Sequence, residues 1–322
     1  MTIIVFLYDD SFPTRSALLY VYNGSVLALQ QKTIVITLNY RVGPLGFAYF
    51  GEDSEVKGNM GLLDQQEVKK NIQALFGSTS EEGSYFLPFL LGKDYGCGFN
   101  HSLGSSSPEN QCDKISSLTI FGAWFKLGDF YKDYFQEKWG LAWTYTTGTS
   151  GSNRDKAIAI FGDFMFTCDT AHFSEIMIKN SGYETYFFEF QKRSTINPWP
   201  EWMGAMHGYE LEYVFGMPFR YPGNYSKEVL ESEQSYATRI MNIYSNFAQI
   251  GITRTDWKEI KLNVKKDPEN DKCFVLDDSL IKEDFKPKYK EIVTKECKLL
   301  NNYTDNHQPH FTTKKNKNFS IY

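Results

Sequence analysis

The chain has 322 residues and a formal net charge of −5 at pH 7, from 34 Lys and Arg against 39 Asp and Glu. This balance argues against a nucleic-acid binder that works through bulk positive charge. Apolar residues make up 42% of the chain and aromatic residues 16%, which excludes disorder over most of its length and permits a substantial core.

Strand and helix patterns alternate along the chain, which predicts an α/β fold with a mostly parallel sheet flanked by helices. Continuous apolar runs at residues 3–8 and 33–40 predict strands buried on both faces, and residues 184–190 predict another strand. Residues 78–115 and 145–154 are rich in Gly and Ser and favour loops. Helical patterns occur at residues 22–30, 59–76, 167–180, 227–250 and 286–300.

The apolar runs and the two ends of the sequence bear on membrane segments, a signal peptide and the domain bounds. No run reaches the roughly 18 apolar residues that a transmembrane helix needs, so we expect none. The start, MTIIVFLYDD, lacks a basic region and soon turns acidic, which favours a buried strand over a signal peptide. We expect one domain over residues 1–300, followed by a polar, disordered tail over residues 301–322.

Cysteines and glycosylation sequons indicate whether the chain passes through the secretory pathway. The five cysteines include no C-x-x-C pair, so we expect no metal site. Five N-x-[ST] sequons mildly favour a secretory history, which would also permit disulfides. The candidate glycosylation sites are Asn23, Asn224 and Asn302, and the other two sequons are at Asn100 and Asn318.

Four segments follow one another in a recognisable order. They are TLNYRVGPLGF at 37–47, KGNMGLLDQQ at 57–66, EEGSYF at 81–86 and NPWPEWMGAMHGYELEYVFGMP at 197–218. Together they resemble the cholinesterase and type-B carboxylesterase branch of the α/β-hydrolases. The resemblance implies a partial α/β-hydrolase fold, a secreted or cell-surface location, no cofactor, and a choline or simple carboxylic ester as the substrate of the family.

The family hydrolyses esters with a Ser–Glu–His triad, in which His accepts the serine proton and the acid orients the imidazole. By resemblance, Glu82 falls on the triad acid and His207 on the triad base. They lie 125 residues apart, so only the fold could bring them together. Without the resemblance, Glu82 would be interpreted as a solvated loop carboxylate and His207 as a histidine at a helix start.

The resemblance also assigns aromatic residues. Tyr85, Phe86 and Trp199 fall where the family places the walls of its substrate gorge. An aromatic wall suits a quaternary ammonium group, because each ring face attracts a cation by about 0.5–2 kcal/mol. The alternative is that such large rings simply fill the core, which for Trp202 is the better interpretation.

Structural pairs follow from the same resemblance. Arg41 and Asp64 match an ion pair that clamps two loops in the family, and Cys168 and Cys297 match a family disulfide. Cys97 and Cys112 have no family counterpart. A bridge between them across a short loop is one option, and Cys273 is then left free.

The catalytic nucleophile is missing from the sequence. The family carries it in a G-x-S-x-G elbow before the acid, but only Ser78, Thr79, Ser80 and Glu81 separate Gly77 from Glu82, and the elbow-strand segment is absent. Without that turn, a hydroxyl is neither aimed nor supplied with the backbone N–H that follows it.

The oxyanion hole is altered as well. Asp9, Asp10 and Ser11 occupy the positions of the family's consecutive glycines, and two carboxylates there would repel the oxyanion. With neither nucleophile nor oxyanion glycines, we expect this chain to be inactive as an esterase.

Three hypotheses remain open at this point. The first is a cholinesterase-type ester hydrolase seen as an incomplete, inactive chain, which the retained Glu82 and His207 favour. The second is a non-catalytic adhesion or binding protein with a cell-surface partner, which the altered glycines favour. The third is a product without function.

Overall fold

The computed structural model describes residues 2–8, 17–40, 73–120, 135–181, 185–251, 272–291 and 293–307. The chain divides into two compact units. The first unit comprises residues 1–72, 211–258 and 321–322, and the second comprises residues 73–210 and 259–320. The predicted Arg41–Asp64 ion pair lies outside the described residues.

The described strands and helices alternate in the manner of an α/β protein. In chain order they are β1 Ile3–Leu7, α1 Ser25–Gln31, β2 Ile34–Leu38, β3 Ala74–Thr79, α2 Leu87–Leu90, α3 Phe135–Gly148, α4 Asn153–Gly162, α5 Cys168–Ser181, β4 Thr185–Phe190, α6 Leu211–Val214, α7 Met217–Arg220, α8 Lys227–Ile250, β5 Lys272–Leu276, β6 Tyr289–Glu291 and α9 Lys295–His307. None of these helices is long and apolar enough to cross a membrane.

The first unit contains a parallel two-stranded sheet, in which β1 pairs with β2 through the crossover helix α1. The prediction that both strands are buried on both faces is wrong, because one face is exposed and the other is only half-buried. Ile3 and Val5 expose 55% and 51% of their surface, and the β2 residues on that side are also exposed. The β-branched run is uniformly apolar, so the sequence does not distinguish the covered face from the open one.

Helix α8 carries the apolar stripe that its 3.6-residue periodicity predicts. Tyr236, Ile240 and Ile243 are buried along one side, and the helix ends at Gly251, whose φ of 66° is left-handed. Its bounds agree with the predicted helix at 227–250.

The second unit contains a four-stranded sheet in the order β3-β4-β5-β6. The first three strands are parallel and β6 is antiparallel, so the sheet is mostly parallel, as predicted. β4 is buried along its whole length, which fits its central place and its sequence TYFFEF. The register sets Ser78 beside Glu189 and Cys273 beside Lys290.

Two disulfides tie the second unit together. Cys168 at the start of α5 is joined to Cys297 of α9 across 129 residues of sequence, and Cys97 is joined to Cys112. Cys273 is a buried free thiol, and burial followed by the nearby charge of Glu189 raises its pKa to about 12.

Two helix predictions are wrong in part. Of the helix predicted at 59–76, residues 59–72 lie outside the described residues, and residues 74–76 belong to strand β3. The helix predicted at 286–300 is instead the strand β6 followed by α9, and Tyr289 is 41% exposed rather than inward. Helix α9 also continues to residue 307, past the predicted start of the tail at 301.

Candidate acid–base site

Glu82 and His207 meet at the end of β3. His207 Nδ1 lies 2.6 Å from Glu82 Oε2, and the backbone N–H of Thr79 donates to Glu82 Oε1 at 2.6 Å. The side chain of Glu82 is 8% exposed and that of His207 is 28% exposed. Both oxygens of a nearly buried carboxylate are therefore hydrogen-bonded, which is what its burial requires.

The turn that carries Glu82 packs directly on α4. Gly83 approaches this helix so closely that an added Cβ would lie 2.2 Å from the carbonyl oxygen of Ile158 and 2.6 Å from the amide nitrogen of Gly162. Gly83 is therefore required for this approach. The buried hydroxyl of Ser84 donates to the carbonyl of Met203 at 2.7 Å, which links the turn to the loop that precedes His207.

The histidine loop is fixed by Glu81, the neighbour of the paired acid. The Ala205 N–H donates to Glu81 Oε2 at 2.8 Å, and the Glu81 N–H donates back to the Ala205 carbonyl at 3.3 Å. Gly204 has a φ of 56°, and a Cβ there would lie 2.5 Å from the Glu81 carboxylate. Burial raises the pKa of Glu81, because the charged form loses hydration.

Two phenylalanine rings enclose the imidazole. The centroid of Phe166 lies 4.4 Å from that of His207, and the centroid of Phe86 lies 5.5 Å from it. Phe166 belongs to a π-helical segment at Asp163–Thr167 between α4 and α5. Phe166 could not be predicted from the sequence, because a π-helical turn interrupts the 3.6-residue period that would assign its direction.

The ring contacts continue away from His207. The ring centroid of Tyr85 lies 5.2 Å from that of Phe86 and 6.1 Å from that of Trp199. The Trp199 ring in turn contacts the rings of Phe99 and His101. Phe99 and His101 lie in the loop closed by the Cys97–Cys112 disulfide, and no sequence pattern predicts their place beside Trp199. We call this set the aromatic row; its members are Phe166, Phe86, Tyr85, Trp199, Phe99 and His101.

The loop that bears Trp199 is held by an arginine. The guanidinium of Arg193 donates from Nη2 to the carbonyls of Trp199 at 2.6 Å and Asn197 at 3.3 Å. Burial lowers the pKa of Arg193, yet an arginine remains protonated at neutral pH. Trp202 donates from Nε1 to the carbonyl of Asn110 at 2.9 Å and packs against the hydrophobic core, so it serves the structure.

Another carboxyl group lies near the Glu82–His207 pair. Burial, followed by the negative charge of Glu82, raises the pKa of Glu210 to about 7, and His207 opposes this shift. Its Oε2 is buried and has no hydrogen-bond partner among the described residues. A proton on Glu210 relieves the repulsion between the two carboxylates.

The arrangement can perform one half of a triad's chemistry. A carboxylate on Nδ1 holds the imidazole in the tautomer that leaves Nε2 to accept a proton, and it stabilises the imidazolium that results. The sequence contains no G-x-S-x-G segment to place a serine against that nitrogen.

Metal ligation is limited within the described ranges. The one group of three potential ligands there combines Asp163 with Cys168 and Cys297, whose sulfurs form a disulfide and offer no thiolate.

The glycosylation candidates lie in different settings. Asn23 and Asn224 are exposed, and the side chain of Asn23 accepts a hydrogen bond from the Ser25 N–H at 3.0 Å. Asn302 lies within α9. Glycosylation at these positions stays a prediction.

Comparison with known proteins identifies relatives over most of the chain. Residues 1–74 and 65–320 match the profile of the carboxylesterase family. The cholinesterase of Mus musculus is 26% identical over 407 residues, covering 82% of this chain and 66% of its own length. The acetylcholinesterase of Bungarus fasciatus is 25% identical over 375 residues, covering 77% and 61%. That of Danio rerio is 23% identical over 406 residues, covering 78% and 63%.

The relatives contain residues that this chain lacks. Each is longer than the 322-residue chain, so each relative contains residues without a counterpart here. The chain spans less than two thirds of the length of these relatives. The profile match nevertheless extends over both units, and the chain therefore belongs to the carboxylesterase family.

Proposed function

We propose that this chain is an inactive relative of the cholinesterase-type carboxylic ester hydrolases: it retains the acid and the base of the Ser–Glu–His triad but does not turn over esters itself. The observation that carries the proposal is the 2.6 Å contact between His207 Nδ1 and Glu82 Oε2, made across 125 residues of sequence. This pairing, with both oxygens of the acid hydrogen-bonded, suits a relay that orients an imidazole.

The step that fails is formation of the acyl-enzyme. In the family's reaction, His207 would take a proton from a serine hydroxyl as that oxygen attacks the ester carbonyl, and would then return the proton to the leaving alcohol. No elbow serine is encoded here, and Asp9 and Asp10 replace glycines of the oxyanion hole. Loss of one oxyanion donor alone raises a barrier by about 2.7–4 kcal/mol.

The aromatic rings near His207 support the proposed class of ligand. Phe86, Tyr85 and Trp199 form part of the aromatic row, so we propose that the row receives choline or a simple carboxylic ester.

The disulfides and the exposed Asn23 and Asn224 sequons support a secreted or cell-surface protein. A relay of this kind needs no cofactor.

Ester hydrolysis tests the proposal. The purified full-length chain is assayed with choline esters and simple phenyl esters, beside an active serine esterase and a His207→Ala variant. We expect the rate for the chain to equal that of His207→Ala and of buffer. A rate that exceeds both, and that saturates with substrate, would contradict the proposed inactivity.

The alternative is a non-catalytic adhesion or binding protein with a cell-surface partner. The replacement of the oxyanion glycines by Asp9, Asp10 and Ser11 favours it, because loss of the elbow segment alone would not alter them. Pull-down from cell-surface extracts tests it, with heat-denatured chain as the control. Saturable capture of one surface protein would support this alternative, and its absence would count against it.

A further inference from the structure

The sheet of the second unit has two edges that differ in length and charge. The β6 edge has three residues, all of them exposed, and two of these are the charged Lys290 and Glu291. A short, charged edge strand resists pairing with another chain. The β3 edge has six residues, ALFGST, with no charge and no proline, and among the described residues β3 pairs with β4 alone. The β3 edge therefore lacks the protection that the β6 edge has.

A hydrogen bond at the end of β3 shows which backbone groups face the open edge. The Ser80 N–H donates to the Phe190 carbonyl of β4 at 2.9 Å. Backbone groups of successive residues in a strand point alternately to the two sides, so the even-numbered residues of β3 face β4. Leu75, Gly77 and Thr79 therefore direct their N–H and C=O groups away from β4.

The open edge is closed at one end and unpaired in its middle. The Thr79 N–H donates to Glu82 Oε1 at 2.6 Å. Within the part of the chain that the structure describes, the N–H and C=O groups of Leu75 and Gly77 have no such partner, although both residues are half-buried. Unpaired backbone groups of this kind are costly, so a further strand along β3 would stabilise the sheet.

We propose that a second copy of this chain pairs with the β3 edge through its own β3, in an antiparallel arrangement about a twofold axis. Leu75 of each copy then exchanges both backbone hydrogen bonds with Gly77 of the other copy. Every open N–H and C=O of these two residues gains a partner, and the two sheets become one continuous sheet. The inference does not depend on the proposed esterase ancestry or on any catalytic step.

The side chains of β3 suit this self-pairing. The register places Phe76 opposite its own counterpart in a non-hydrogen-bonded pair, where two aromatic rings attract each other. The Phe76 ring contacts that of Phe173, with 5.8 Å between centroids, and Phe173 is 53% exposed, so the second copy would cover apolar surface. Because β3 is uncharged, the pairing brings no like charges together.

The mass of the full-length chain, measured by light scattering during size-exclusion chromatography, tests the proposal. We expect two chains per particle, which separate on dilution. Leu75→Lys should weaken the dimer about tenfold, because the two introduced charges lie diagonally across the axis on one face of the sheet. Tyr289→Lys on the β6 edge is the control and should leave the dimer unchanged. A single chain at every concentration, or equal weakening by the two variants, would overturn the proposal.

A charge exchange separates loss of pairing from loss of folding. Leu75→Glu alone should weaken the dimer as Leu75→Lys does, because like charges again face each other. An equal mixture of the two variants should form a mixed dimer, since opposite charges then meet across the axis. A mixture that dimerises no better than either variant alone would contradict the proposed interface.

A crosslink tests the register. Phe76→Cys places two thiols in a non-hydrogen-bonded pair with Cα atoms about 4.5 Å apart, a separation that a disulfide spans. Mild oxidation should therefore join two copies, seen as a dimer on a non-reducing gel. Ala74→Cys is the control, because its counterpart lies about 13 Å away along the strands. Equal crosslinking of the two variants, or none in Phe76→Cys, would contradict the antiparallel pairing.

Discussion

Two regions of the second unit differ in their chemistry: the aromatic row, and a cavity of about 350 Å³ that is lined mostly by carboxylate and hydroxyl side chains. The aromatic row offers ring faces beside a hydrogen-bonded Glu82–His207 pair, which suits a cation that cannot donate hydrogen bonds. The cavity offers carboxylates and hydroxyls instead. Glu82 lines the cavity and is paired with His207, which the rings of Phe166 and Phe86 enclose, so one buried carboxylate connects the two regions.

The largest expected effect comes from the turn that the two regions share. Gly83→Ala places a Cβ 2.2 Å from a backbone oxygen of α4, and because backbone atoms cannot rotate away, the turn must shift. We expect a loss of about 3 kcal/mol in the free energy of unfolding, measured by urea denaturation. Both the Glu82–His207 pairing and the cavity should be disturbed.

A second glycine provides the control for this substitution. Gly104 has no atom within 4 Å of a Cβ built on it, so Gly104→Ala should change the stability by less than about 0.5 kcal/mol. Equal losses of unfolding free energy in the two variants would show that the close approach of Gly83 to α4 does not contribute to stability.

Removal of the His207 imidazole tests how much its pairing with Glu82 stabilises the chain. His207→Ala deprives a nearly buried carboxylate of its side-chain donor, so we expect a loss of about 2 kcal/mol in unfolding free energy. His101→Ala removes an exposed imidazole of the aromatic row and should cost less than about 0.5 kcal/mol. Equal losses in the two variants would show that the Glu82–His207 pair contributes no more to stability than an exposed imidazole does.

The pH dependence of stability tests the charge balance beside the Glu82–His207 pair. The folded pKa of Glu210 is about 7, above its usual 4.5, so the folded state binds the proton more tightly. This stabilising contribution is complete below pH 4.5 and is lost as the pH rises to 7. Because Gln does not titrate, Glu210→Gln should abolish this fall, which the difference between the two pKa values sets at about 3 kcal/mol of unfolding free energy. An unchanged pH slope would contradict the assignment.

The smallest effects concern the buried hydroxyls of Thr33 and Thr79, which have no hydrogen-bond partner among the described residues. Thr79→Val and Thr33→Val each replace an unsatisfied buried hydroxyl with a methyl group, so each should stabilise the chain by about 1 kcal/mol. A destabilising effect of Thr79→Val would mean that its hydroxyl already has a partner.

Regular elements and family motifs were predictable from the sequence. The stripe of α8 and the continuous apolar run of β4 each reflect one dominant period or composition. The pairing of Glu82 with His207 needed the family resemblance, because no local pattern connects residues 125 apart. The same resemblance pointed to the Cys168–Cys297 pair that the structure contains.

Other features could not be predicted, for identifiable reasons. β3 completes an apparent helical pattern in NIQALF, so its strand character depends on pairing with β4. Phe166 faces His207 because of a π-helical turn that periodicity does not reveal. The cavity takes its walls from segments far apart in sequence, and the hydroxyl of Thr79 is unsatisfied only within that fold.

Reaction with an organophosphonate shows whether the chain contains an activated serine, because this reagent modifies such a serine without requiring turnover. The intact mass of the full-length chain is measured after exposure, beside an active serine esterase treated in the same way. We expect an unchanged mass for this chain and complete modification of the active esterase. One phosphonyl group per chain, placed on a serine by peptide mapping and abolished by His207→Ala, would contradict it.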